Sequence, residues 1–143
     1  MNLRGERNNK KISFYIEHMG IRAALLSWGV VLGSYGIAQL TQRPEISDIG
    51  HTVMGVALKE TADFIPFGKY KRVAEIVSII LGNYGFQHLK AGGVFWFIPG
   101  LNDNFYSYKV LEGIAGGGIA MTYDMNSERR IKLEKNQMLR ERK

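Results

Sequence analysis

Asp48 and His51 are three residues apart, a spacing that turns a carboxylate and an imidazole to one face of a helix. Glu45 lies just before them. Farther along, Gln87 and His88 close an apolar stretch, and Asp103 stands between Asn102 and Asn104 ahead of another. If the apolar stretches are membrane spans, all of these side chains converge on one outer polar rim. Histidine beside carboxylate can hold a divalent metal, relay a proton or work as an acid and base pair. Asp48, His51, His88 and Asp103 are therefore the candidate catalytic groups, and the same residues with Gln87 form the candidate ligand-binding set. A plainer assignment competes for each: Asp48 as a helix N-cap, His51 as a satisfied interfacial histidine, Asp103 as a turn former. No dedicated metal or cofactor motif is present, and neither a metal nor a cofactor is expected.

Four apolar stretches must position these groups. Residues 23–40 carry no charge and have about the length that crosses a hydrocarbon core. The others cover roughly residues 46–67, 73–89 and 108–123. Arg4, Arg7, Lys10, Lys11 and Arg22 precede the first stretch, and Arg43 alone separates it from the second. Lys69, Lys71 and Arg72 gather before the third, Lys90 follows it, and Lys109 opens the fourth. Arg129, Arg130, Lys132, Lys135, Arg140, Arg142 and Lys143 crowd the end of the chain. This heavy and light alternation is what the positive-inside rule predicts for four spans with both termini in the cytoplasm. The expected fold is all-α: an integral membrane helical bundle, multi-pass in the cell membrane. Residues 1–21 form a basic polar segment, 22–123 the helical membrane domain and 124–143 a basic cytoplasmic tail. Pro44, Pro66 and Pro99 fall between the stretches, where a helix must end. The first stretch starts beyond residue 20 and is followed by Gln42-Arg43-Pro44, so it is read as a retained helix and not as a cleaved signal.

Composition sharpens the picture. A mean hydropathy of −0.13 is low for a polytopic membrane protein. Part of the deficit is the polar ends, and part is Asp48, His51, Lys59, Glu60, Asp63, Glu75, Gln87, His88, Lys109 and Glu112 within the stretches. At membrane depth such residues must sit near interfaces, pair, or face a bundle interior. There is no cysteine, which excludes disulfides and thiolate chemistry. Phosphate-cradling loops, dinucleotide fingerprints, HExxH and GxSxG are absent, so nucleotide enzymes, zincins and serine hydrolases have no support. A net charge of +6 suits an anionic surface. Nucleic acid is a less favoured partner, reached only through the basic tail, because no zinc spacing, aromatic ribonucleoprotein motif or basic stripe supports it. Residues 128–143 hold 7 basic against 3 acidic residues and are expected to bind anionic headgroups.

Gly29 and Gly33 form a GxxxG pair in the first stretch, and Gly113 and Gly117 repeat it in the fourth. Small stripes of this kind let helix backbones approach in lipid, so the first and fourth helices are expected to pack as a glycine zipper. The competing reading is that runs such as Gly116-Gly117-Gly118 simply loosen a helix.

Asp48-Ile49-Gly50-His51 opening a helix, Phe97-Ile98-Pro99-Gly100 with Asp103, and the glycine-rich Glu112-Gly113-Ile114-Ala115-Gly116-Gly117 together resemble the VanZ-like group of small bacterial membrane proteins. The similarity covers about residues 46–122. It departs from the group where an acidic residue late in the third span is replaced by Gln87 or His88, and a loop arginine by Leu101. The resemblance implies a cell-envelope membrane protein and supplies no reaction. The expected function is an accessory membrane protein with an outer-rim site for a lipid-linked or small ligand. The alternatives are a structural or assembly membrane protein, viral or of a secretion apparatus, and a helical subunit of a larger complex. Membrane lipids are the expected partners, with a homo-oligomer or a larger membrane complex as the assembly.

Overall fold

The computed structural model describes residues 3–97 and 104–141, with side chains from Gly20 onward. Four helices follow one another: α1 (Leu3–Thr41), α2 (Glu45–Ala62), α3 (Lys71–Ala91) and α4 (Ser107–Glu141). A 3-10 turn, Gly68–Tyr70, leads into α3, and the described residues contain no strand. Each of the four apolar stretches thus falls on one helix, although α1 begins well before its stretch, α4 runs on well past its own, and α2 ends at Ala62, short of residue 67. Pro44 caps the start of α2, where its fixed φ and missing N–H suit the end of a helix. The chain turns into it through Gln42, whose φ of 55° is left-handed. Pro66 lies between α2 and α3 as expected, whereas Pro99, Gly100, Leu101, Asn102 and Asp103 lie outside the described residues.

The central element is α2, which packs against α1, α3 and α4, while α3 also packs on α4. Tyr35 near the end of α1 and Lys90 near the end of α3 both meet His51 near the start of α2, so α1 and α3 run antiparallel to it. Asp48 and Glu112, early in α2 and α4, lie together, as do Lys59 and Asp124 farther along, so these two helices run parallel. Val31, Tyr35, Met54 and Ala57 form the buried apolar centre, with Trp28, Leu58 and Phe86 packed around it.

Glycine permits the tightest approach, but between other helices than expected. A Cβ at Gly55 would run into the Gly113 carbonyl, and one at Gly116 into the Thr52 carbonyl. One at Gly117 would lie 2.8 Å from the Ile79 side chain. Gly113 and Gly117 therefore serve α4 against α2 and α3. Gly29 and Gly33 have open space where a Cβ would point, and the backbones of α1 and α4 do not meet. The anticipated zipper of the first and fourth helices is corrected to one of α4 with α2, whose own Gly55 supplies the second small surface.

Polarity is distributed in an unusual way. His51, Lys59, Glu75, Asn83, Gln87, Lys90 and Lys109 are buried, while Leu25 (68% exposed), Leu26 (71%), Leu40 (86%) and Ile119 (71%) point outward. A protein folded by expelling apolar surface from water does the reverse. Only α1, over Gly20–Thr41, is by itself long and apolar enough to cross a membrane among the described helices. The others fall short because their inward faces are polar.

Candidate functional site

His51 organises one end of the bundle. Its Nδ1 lies 2.7 Å from the Ser47 carbonyl oxygen, one turn back in α2. A carbonyl only accepts, so Nδ1 carries the hydrogen and Nε2 presents a lone pair. That lone pair faces the Tyr35 hydroxyl at 2.8 Å and the Lys90 ammonium at 3.2 Å. The ammonium also stands 5.0 Å above the Tyr35 ring. Three helices therefore meet at one imidazole, and each contributing side chain is almost wholly buried.

Two carboxylates adjoin this group. Asp48, His51 and Glu112 each bring a ligand atom within 4.8 Å of the others. Glu112 Oε2 is buried without a hydrogen-bond partner among the described residues, and so is Gln87 Oε1. Gln87 precedes Lys90 by three residues on the buried stripe of α3, and Lys109 stands one turn ahead of Glu112 on α4. A metal fits this cluster poorly, since both ring nitrogens of His51 are already hydrogen-bonded and one faces a lysine. The cluster thus holds two cations, Lys90 and Lys109, beside two acceptor atoms, Gln87 Oε1 and Glu112 Oε2, that the described residues leave without a hydrogen bond.

The expected site residues divide accordingly. Asp48 and His51 come together as their spacing requires. Asp48 does not cap α2, because Pro44 occupies that position and Asp48 lies within the first turn. Gln87 is buried, but His88 is exposed and stacks on Phe105 at 4.6 Å, with Tyr84 at 4.4 Å. The anticipated pair of imidazoles does not form, because one residue along a helix turns a side chain by about 100°. Asp103 lies outside the described residues. Tyr35, Lys90 and Glu112 join the site without having been singled out. For Lys90 a signal existed: it shares the helical face of Gln87.

A second polar cluster closes the opposite end of the bundle. The Lys59 ammonium pairs with Glu60 at 3.1 Å, with Asp63 at 2.8 Å and with Asp124. Asp63 continues to Lys71 at 3.3 Å, and Arg72 joins Glu75 and Glu128, each at 2.7 Å. Carboxylate atoms of Glu60, Asp63 and Asp124 are close enough to share a cation, and the Lys59 ammonium already serves as that cation. The cluster ties α2, α3 and α4 together and has a structural role.

Comparison with known proteins returns no match: no protein-family model, curated protein or solved structure is similar to this chain.

Proposed function

We propose that this chain is a small multi-pass membrane protein of the bacterial cell envelope. Its end site, built on His51, Tyr35, Lys90, Asp48 and Glu112, binds a lipid-linked or small ligand with an anionic group and hydroxyls. The observation that carries the membrane reading is the inverted polarity of the bundle, with ionisable groups inside and large apolar side chains outside. In hydrocarbon an exposed leucine costs nothing, whereas an outward lysine or glutamate is costly. Helices that bury Lys59, Glu75 and Lys90 and expose leucine and isoleucine are matched to that solvent. The cell-envelope assignment rests on the resemblance to VanZ-like proteins.

A helical subunit whose apolar surface is covered by other chains is the rival reading. Alkaline carbonate washing of membranes from expressing cells separates the two. Retention is expected for an integral protein, and release into the wash contradicts the membrane reading. The site is tested on detergent-purified protein by thermal stability with glucose 1-phosphate, glucose or inorganic phosphate. The sugar phosphate is expected to stabilise most, and His51→Asn and Lys90→Met to abolish the effect. No stabilisation by any of the three probes would overturn the ligand assignment and leave the membrane reading standing.

A further inference from the structure

A groove of about 820 Å³ runs along the flank where α1 meets the beginning of α2. Leu26, Val30 and Ile37 wall it from α1, and Ile46 and Ile49 from α2. Its floor is opened by Gly29 and Gly33, which meet nothing within 4 Å at the position of a Cβ. Ser34 is a polar member of the wall, and its hydroxyl donates to the Val31 carbonyl at 2.8 Å. The trough itself therefore makes no polar demand.

Arg22 marks one end of the groove. Its side chain is exposed and makes no ion pair with the described residues. From Arg22 to Ile37 is 15 residues, or about 22 Å of helix. Arg22 lies towards the end of the bundle where Lys71 and Arg72 also stand, since α1 and α3 both run antiparallel to α2. A single cation at the end of a long apolar trough is complementary to an amphiphile with an anionic head.

We propose that this groove binds an anionic phospholipid, its acyl chain lying over Gly29 and Gly33 and its phosphate paired with Arg22. The inference rests on the membrane reading above and concerns a surface separate from the His51 site. A second copy of the chain fits the groove less well. Two molecules with the same orientation in a membrane would pair α1 in parallel and bring one Arg22 against the other, whereas a lipid phosphate neutralises it. The basic side of the bundle is also the side on which anionic headgroups attract Lys and Arg.

The test uses the full chain, extracted in detergent after carbonate washing and offered equal amounts of phosphatidylglycerol and phosphatidylcholine, with bound lipid measured by native mass spectrometry. Wild type is expected to retain phosphatidylglycerol about fivefold over phosphatidylcholine. Arg22→Gln should abolish that preference, and Arg43→Gln, outside the groove, should leave it intact. Gly33→Leu should lower retention of both lipids without changing thermal stability, because the added side chain enters open space; Gly29→Leu provides a second filling variant. Unchanged phosphatidylglycerol preference in Arg22→Gln would overturn the proposal. So would a wild-type dimer that Gly33→Leu converts to monomer with lipid retention unaltered, since a second copy would then occupy the groove. Release of the chain in the carbonate wash would instead remove the membrane reading on which the inference stands.

Discussion

At the scale of single residues, this protein is governed by charges and hydrogen-bonding groups held out of water. Lys59 is 1% exposed and faces three carboxylates. Removing one partner of a buried ionic group strands the others, at a cost of about 3–5 kcal/mol. Lys59→Ala is accordingly expected to be among the most damaging substitutions, measured by thermal unfolding in detergent, and Lys59→Met combined with Asp124→Leu to be milder. A loss below about 1 kcal/mol for Lys59→Ala, the range of exposed pairs, would mean that water reaches the cluster. At His51 the expected order is Tyr35→Phe weaker than His51→Ala. The first leaves Nε2 with Lys90 still in reach, at about 1 kcal/mol, and the second removes the acceptor that Tyr35 and Lys90 share together with the packing of the ring. Equal losses would show that the imidazole does not organise the group. Of this chemistry the sequence displays only what one helix contains. The neighbours Asp48 and His51 follow from helical spacing, whereas Tyr35, Lys90 and Glu112 arrive from three other helices whose rotation no local pattern sets. The same rotation sends Gln87 inward and His88, its neighbour, outward.

At the scale of helices, glycine separates capacity from use. Gly29 and Gly33 have the same spacing as Gly113 and Gly117, yet only the second pair is pressed against other helices. Gly55→Leu or Gly117→Leu should therefore cost about 1–3 kcal/mol or more by overpacking, while Gly33→Leu should leave unfolding unchanged. A large loss for Gly33→Leu would restore the packing of α1 that the spacing alone suggests. Helix number and position were legible because charge and apolar runs alternate cleanly. Helix pairing was not, because Gly55 lies in a segment whose polar residues hide its packing face. The basic tail presents a related distinction. It continues α4 without a break to Glu141, so Arg140 lies 16 residues and about 24 Å beyond Asp124. That exceeds the screening length of about 8 Å at physiological salt. If the helix leaves the surface steeply, Arg129→Gln with Arg130→Gln should weaken binding of the protein to anionic vesicles more than Arg140→Gln does. Equal effects in a vesicle sedimentation assay would place the whole tail flat on the membrane.

At the scale of the whole molecule, the low mean hydropathy and the proposed membrane setting are reconciled by where the polar residues within the helices point. An average over sequence counts Glu75, Gln87 and Lys90 as though they faced the solvent, although the fold turns them inward. This is why α1 alone passes on apolarity while three further helices share its bundle. On the proposed membrane reading, the positive-inside rule applied to the alternating basic residues predicts the α1–α2 corner outside and the α2–α3 corner inside. The chain contains no cysteine, so a single introduced thiol reports its own location without background. The most direct test is labelling of intact cells with a membrane-impermeant maleimide, comparing Arg43→Cys at the first corner with Tyr70→Cys at the second. Labelling of Arg43→Cys in intact cells, with Tyr70→Cys labelled only after permeabilisation, is the expected result; protection of Arg43→Cys together with labelling of Tyr70→Cys, or equal labelling of both, would contradict it.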